Sequence, residues 1–75
     1  MATLADLANG NRARVTGVRD QDELAVRLLE MGLTPGVEVR RIGAAPLGDP
    51  LEFELRGYRL SLRRAEAARV DVEMK

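Results

Sequence analysis

Hydrophobic residues alternate with polar residues along most of this chain. Between residues 12 and 18, the apolar Ala13 and Val15 alternate with polar neighbours, and Gly17 stands where a β-bulge is expected. The same period of two recurs over residues 37–39, 51–55, 58–62 and 70–74. This period is typical of strands with one buried face, and short strands separated by tight turns predict a small β-barrel.

A helical period occurs once, over residues 21–31. The apolar residues at helical spacing are Leu24, Leu28 and Met31. Asp20, followed by Glu23 three positions later, predicts a capping box at the start of this helix. Gly32 predicts its end, because a left-handed residue commonly closes a helix, and Leu33 is then placed to fold back on the last turn.

The apolar stripe of this helix is wide, since Ala25 and Leu29 extend it and Val26 lies beside them. A wide stripe favours deep burial of the helix. The alternative is that part of the stripe forms an exposed patch for a partner. After the helix, Pro35 and Gly36 occupy the middle positions of a predicted type II turn over residues 34–37.

Several shorter segments complete the predicted fold. Thr3 is expected to cap a turn over residues 4–7, and residues 64–68 to form one helical turn. Arg56-Gly57 separates two strands so closely that they must form a hairpin. Residues 43–50 are the longest irregular connection and predict a protruding loop. The sequence therefore predicts a mainly β fold, a small β-barrel with one inserted α-helix, in a single domain over residues 1–75.

The amino-acid composition excludes several classes of function. The chain contains 12 basic and 12 acidic residues and neither His nor Cys. The balanced charge removes a net attraction toward nucleic acid or an anionic membrane. Without His and Cys the usual zinc ligands are missing, so we expect no metal site and no cofactor. No apolar run is long enough to span a membrane and the N-terminus lacks an export signal, so we expect no membrane insertion and a cytoplasmic location.

Nothing in the sequence predicts an enzyme. The hydroxyl side chains have no His or interior Lys to act as a base. Glu52 and Glu54 share one face of a predicted strand, and we favour a charged, solvated sheet edge over acid–base or metal chemistry there. Asp20, Asp22 and Glu23 lack the ligand spacing of a calcium loop and are assigned to the helix start.

Four arginines, Arg56, Arg59, Arg63 and Arg64, cluster around the predicted hairpin. Such a stripe binds single-stranded nucleic acid when stacking aromatic residues accompany it, but this chain has only one Phe and one Tyr. We therefore expect the arginines to lie on a solvated, salt-bridged face. This pattern argues against binding of nucleic acid, and a protein is the expected partner.

Three segments give the chain a family resemblance. They are MGLTPG at residues 31–36, PLGDP at 46–50 and RGYRLSLR at 56–63. With them the chain resembles the FeoA family, ferrous iron transport protein A, over essentially its whole length. The resemblance implies an SH3-like β-barrel with an inserted helix. It also implies a cytoplasmic accessory of FeoB, the membrane ferrous iron permease that carries a cytosolic GTP-binding domain. Because no DNA-binding helices precede the barrel, the chain resembles the free-standing form.

The predicted docking surface combines the end of the helix and its following turn with the protruding loop. Its residues are Leu29, Leu33, Pro35, Pro46, Leu47 and Asp49. These segments carry apolar or rigid groups that the core does not obviously need, and the cytosolic face of the permease is expected to bind there. Two other functions stay open: a free-standing nucleic-acid-binding barrel, and the detached C-terminal domain of a metal regulator. The oligomeric state and the mechanism are not predicted.

Overall fold

The computed structural model describes residues 2–75; Met1, which the predicted domain includes, lies outside the described residues. The described chain forms six strands, one main helix and two single turns of helix. The strands are β1 (Ala2–Thr3), β2 (Arg12–Val18), β3 (Glu38–Ala44), β4 (Leu51–Leu55), β5 (Tyr58–Leu62) and β6 (Val70–Met74). The helices are a 3-10 turn (Leu4–Asp6), α1 (Glu23–Glu30) and α2 (Arg64–Ala67).

The six strands form one antiparallel sheet in the order β1-β6-β2-β3-β4-β5. The register of β2 against β6 shifts between Val15 and Gly17, which confirms the predicted bulge. A second shift, between Arg41 and Gly43, bends β3. The sheet curls around one apolar core. The prediction of a mainly β, barrel-like fold with one inserted helix is confirmed.

The core is built from the inward positions of the strands and from α1. Its largest fully buried side chains are Phe53, Leu4, Leu7, Leu28, Leu33, Leu51, Leu55, Leu62, Val15, Val39 and Val70. The alternation read from the sequence holds, because Ala13 and Val15 are buried while Arg12, Arg14 and Thr16 are exposed. The 3-10 turn and the residue after it add Leu4 and Leu7 to this core. Thr3 caps the turn, because its hydroxyl oxygen accepts from the Ala5 N–H at 3.2 Å.

The predicted cap of α1 is wrong by two residues. Asp22 is the N-cap, and its Oδ1 accepts from the Ala25 N–H at 3.1 Å. Asp20 instead has a left-handed backbone, with φ of 65°, and belongs to the connection before the helix. Aspartate tolerates that region and is also a good cap, so two nearby aspartates give the same sequence signal.

The end of α1 follows the prediction in detail. The Leu33 N–H donates to Leu28 O at 3.2 Å and the Gly32 N–H to Leu29 O at 3.0 Å, which is the Schellman pattern. Gly32 has a φ of 103°, as its left-handed position requires. In the turn over residues 34–37, the Val37 N–H donates to Thr34 O at 3.2 Å, and the φ of 93° at Gly36 fits type II.

The strand that carries Glu52 and Glu54 is not a sheet edge. β4 lies between β3 and β5, so the interpretation of these glutamates as edge charges is wrong. Glu54 contacts Arg40 across the β3–β4 pair at 3.1 Å. The true edges are β1, a two-residue strand that the sequence pattern missed, and β5. No helix among residues 2–75 is long and apolar enough to cross a membrane.

Candidate docking surface

The helix contributes an apolar ridge to the surface. Val26 is 52% exposed and Leu29 is 39% exposed, whereas Ala25 and Leu28 face the core. Three residues apart on a helix, Val26 and Leu29 are neighbours on one face. Leu33, which was predicted as a docking residue, is fully buried under the last turn of α1. The prediction is therefore wrong for Leu33, because a side chain inside the core cannot contact a partner.

The loop between β3 and β4 presents Leu47 to solvent. Pro46 and Leu47 are the central residues of a turn that the Gly48 N–H closes by donating to Ala45 O at 2.7 Å. A second bond, from the Ala45 N–H to Pro50 O at 2.9 Å, closes the base of the loop. Leu47 is 97% exposed, and Pro46 beside it is exposed as well. An apolar side chain fixed at a loop tip in this way is available to a partner at little cost in ordering.

The start of α2 holds this loop in place. The Arg64 N–H donates to Asp49 Oδ1 at 2.9 Å, and Arg64 Nε donates to Gly48 O at 2.8 Å. Asp49 therefore has a structural role, which the sequence did not show, because it satisfies a free N–H at the first residue of α2. Arg64 belongs to the predicted arginine cluster, yet its guanidinium bonds the loop backbone.

The structure separates the two halves of the predicted surface. Leu51 pairs with Leu62 at the loop end of β4, and Leu55 pairs with Tyr58 at the other end. The end of α1 lies at this second end, since a Cβ on Gly32 would stand 3.6 Å from Leu55 Cδ1. Four residue steps of about 3.3 Å place the two ends roughly 13 Å apart. Leu29 and the exposed Pro35 thus form one patch, and Pro46, Leu47 and Asp49 form another.

Tyr58 is a feature that the sequence analysis missed. Its hydroxyl donates to Met31 O at the end of α1, and its ring crosses Gly32 so closely that a Cβ there would collide with the hydroxyl. The side chain is 42% exposed. Tyr58 begins the edge strand, and its side chain reaches sideways to the end of α1. A contact over 27 residues leaves no local signal in the sequence.

Ion pairs cover much of the remaining surface. Arg69 bonds Asp22 Oδ1 at 2.6 Å, and this hydrogen bond, together with the one from the Ala25 N–H, holds the pKa of Asp22 below its ordinary value. In the same way, Lys75 bonds Glu38 Oε2 at 2.6 Å and lowers the pKa of Glu38. Asp22 thus ties the start of α1 to the residue before β6.

One cleft on the described surface is open and lined by charged side chains. It has a volume of about 420 Å³ and lies between the turn at Gly36 and the hairpin at Arg56. Arg12, Arg40 and Arg56 line it, but Glu38 and Glu54 lie among them and pair with two of the three. Among residues 2–75 no three acidic side chains converge on one point. The arrangement can make contacts with a partner, and no nucleophile and base are brought together in it.

Comparison with known proteins identifies the family. The FeoA domain family matches residues 2–74. The Fe(2+) transport protein A/Fe(2+) transporter FeoB fusion protein of Porphyromonas gingivalis is 35% identical over 71 residues, which cover 95% of this chain and 8% of the fusion protein. This chain therefore spans less than a tenth of that relative, in which a FeoA part and a FeoB part share one polypeptide.

Two solved structures share the fold closely. FeoA of Stenotrophomonas maltophilia, described as an SH3 domain protein and complexed with zinc, is 38% identical, with a TM-score of 0.88 over 97% of this chain and 91% of that one. Iron(II) transport protein A of Clostridium thermocellum is 34% identical, with a TM-score of 0.90 over 97% of this chain and 45% of that one. The fold is thus the SH3-like barrel that the family resemblance implied, and this chain belongs to the FeoA family.

Proposed function

We propose that this protein is a small, non-enzymatic accessory of ferrous iron uptake that acts in the cytoplasm. Its partner is the cytosolic face of a FeoB-type permease, including its GTP-binding domain. The observation that carries the proposal is the relative in Porphyromonas gingivalis, where an FeoA part and an FeoB transporter form one chain. Parts that work together are often joined in this way, and the joined arrangement raises their effective concentration.

The surface of the domain supports a role by contact. It offers exposed apolar side chains on two rigid segments, and its cleft is lined by charged side chains, most of which are paired. A domain of this kind influences transport only by binding one state of its partner more tightly than another. Weak, transient contacts between proteins often bury less than about 1,200 Å² and depend on a few anchors. We assign the anchors to Leu29 and Leu47, flanked by Pro35, Pro46 and Asp49.

The test is a double variant of the two anchors. Leu29→Glu with Leu47→Glu places a charge in each apolar patch, and both side chains are exposed, so the melting temperature should stay near that of the parent. Association with the purified cytosolic GTP-binding domain of the cognate permease should weaken by about thirtyfold or more, as the loss of two anchors implies. In cells, iron uptake should fall to the level seen without the protein.

A matched control adds the same two charges elsewhere. Asn9→Glu with Asn11→Glu changes exposed polar positions beside Arg41, which lies opposite the middle of β4 and away from both patches, and this variant should bind and support uptake normally. If the anchor variant is folded and binds like the parent, the docking surface is wrong. If the parent itself binds no cytosolic part of the permease and its deletion leaves iron uptake unchanged, the proposed function is wrong.

A further inference from the structure

One edge of the sheet has no neighbouring strand. β5 ends the strand order and pairs only with β4, from Leu51↔Leu62 to Leu55↔Tyr58. Arg59 and Ser61, in the middle of β5, are both exposed. A sheet edge of this kind is a template for another strand, and natural proteins usually shorten or cover it. With five residues, β5 is longer than β1, the two-residue strand at the other edge.

The register shows which backbone groups point away from the sheet. A two-residue hairpin at Arg56-Gly57 makes Leu55 and Tyr58 a hydrogen-bonded pair, and such pairs alternate along an antiparallel ladder. Tyr58, Leu60 and Leu62 therefore bond β4, whereas the N–H and C=O of Arg59 and Ser61 face outward. Within residues 2–75, neither main-chain nor side-chain groups bond these outward groups. Two donors and two acceptors thus lie open along the edge.

The side chains on this edge favour an acidic strand. Arg59 lies across from Glu54, but Glu54 already bonds Arg40 on the other side. In the part of the chain that the structure describes, no ion pair forms with Arg56, Arg59 or Arg63. On the opposite face of β5, Leu60 is half-buried and packs on the core. A strand that alternates acidic and apolar residues matches both faces.

A second copy of this chain fits the edge poorly. Using the same outward groups, two β5 strands paired antiparallel about Arg59 would set Arg59 opposite Arg59, and two strands paired about Ser61 would set Arg59 opposite Arg63. Paired about Leu60, they would still place both Arg59 side chains on one face of the sheet. Like charges directly opposite one another in a ladder are destabilising. The same arginines that reject a second copy attract an acidic segment, so the edge is selective and not merely open.

We propose that the edge of β5 binds an extended segment of a partner protein in which acidic and apolar residues alternate, adding it as a further antiparallel strand. The outward groups of Arg59 and Ser61 would bond its backbone, and Arg56, Arg59 and Arg63 would attract its carboxylates. This mode of recognition takes affinity from the main chain and specificity from alternate side chains. The inference is independent of the permease and of the two apolar anchors.

The probe is a blocked ten-residue peptide of alternating Glu and Val. Amide hydrogen exchange, followed by NMR on the full chain, should slow at Arg59 and Ser61 when the peptide is added. It should change little at Tyr58, Leu60 and Leu62, whose amides already bond β4. A peptide of alternating Lys and Val, and the acidic peptide methylated on its backbone nitrogens, should both fail to bind. Binding of the acidic peptide should weaken as salt is raised.

Two variants separate backbone pairing from charge. Ser61→Pro removes an outward N–H without breaking a bond to β4, and should weaken binding about tenfold, as the loss of one hydrogen bond implies. Arg59→Gln keeps the backbone and should weaken binding and reduce its salt dependence, which remains a test if Ser61→Pro does not fold. Equal slowing of exchange at Leu60, equal binding of the methylated peptide, or protection of Arg59 and Ser61 by self-association without peptide would each overturn the proposal.

Discussion

At the scale of single residues, two glycines of this protein are required for different reasons. Gly36 has a φ of 93° but open space where its Cβ would be. Gly32 has a φ of 103°, and in addition the hydroxyl of Tyr58 occupies the space of a Cβ. Both glycines are needed for backbone conformation, but only Gly32 is needed for the close approach of the hairpin to the end of α1.

This difference predicts an order of stabilities. Gly36→Ala should lower the free energy of unfolding by about 1–2 kcal/mol, the usual cost of a left-handed alanine. Gly32→Ala should cost clearly more, since it also displaces the hydroxyl of Tyr58. Urea unfolding of both variants measures this. In a Tyr58→Phe background the extra cost at Gly32 should largely disappear; an unchanged gap would show that the hydroxyl is not what crowds this position.

Asp22 gives the stability of the protein a pH dependence. Its pKa is lowered in the folded state, chiefly by the hydrogen bond from Arg69. A lowered pKa means that the stabilisation is present above the unfolded value of about 3.9 and is lost as pH falls through the folded value. Protonation removes both the ion pair with Arg69 and much of the cap of α1.

Removing the carboxylate of Asp22 is therefore expected to lower the melting temperature at neutral pH and to have less effect in acid. Asp22→Ala should melt below the parent at pH 7, and the difference should shrink as the pH falls below about 4. Thermal melts from pH 2 to pH 7 measure it. Glu30→Ala removes an exposed carboxylate that makes no ion pair within residues 2–75, and should show a smaller defect. A constant difference between Asp22→Ala and the parent at every pH would contradict the role of its charge.

At the scale of elements, local signals in the sequence predicted most turns and helix ends correctly. The Schellman end at Gly32, the type II turn at Gly36 and the hairpin at Arg56-Gly57 all depend on backbone preferences within a few residues. The cap was misplaced because Asp20 and Asp22 offer the same local chemistry. Burial was overestimated for Val26 on α1, since a wide apolar stripe does not tell which part faces the core.

The face of α1 can be tested directly. Leu28 is fully buried, so Leu28→Ala should cost about 2–5 kcal/mol of unfolding free energy, the range for a cavity left in a core. Arg27 is exposed on the other side of the helix, and Arg27→Ala should change stability by less than about 0.5 kcal/mol. Denaturant unfolding of both variants measures these two changes in unfolding free energy. Similar losses would mean that α1 packs through a different face.

At the scale of the whole molecule, the sequence predicted the class of fold but not the order of its strands. Nothing local places β4 inside the sheet or leaves β5 at its edge, so Glu52 and Glu54 were assigned to the wrong environment. For the same reason the docking surface was predicted as one patch, although its two parts lie at opposite ends of β4. Distances between segments depend on the closed sheet, and single-sequence patterns do not contain them.

The distribution of acidic side chains over the whole surface predicts weak metal binding. The chain has no His and no Cys, and among residues 2–75 no three carboxylates converge. A tight site for zinc or iron needs several such ligands at fixed positions. After dialysis against a chelator, elemental analysis should find far less than one zinc or iron per chain. A value near one per chain would show that ligands are assembled in a way that this arrangement does not explain.

The separation of the two apolar patches also predicts how they act together in docking. If a partner touches both, Leu29→Glu and Leu47→Glu should each weaken its binding by about 1 kcal/mol or more, as expected for anchor residues. Because the patches share no contact and lie more than about 10 Å apart, their effects should add to within about 0.5 kcal/mol. Titration calorimetry of the parent, both single variants and the double variant against the permease's cytosolic domain gives the four free energies. A single variant that binds like the parent would confine docking to the other patch. If the effect of the double variant differs from the sum of the two single effects by more than about 0.5 kcal/mol, the loop and the helix do not act as independent contacts on a rigid barrel.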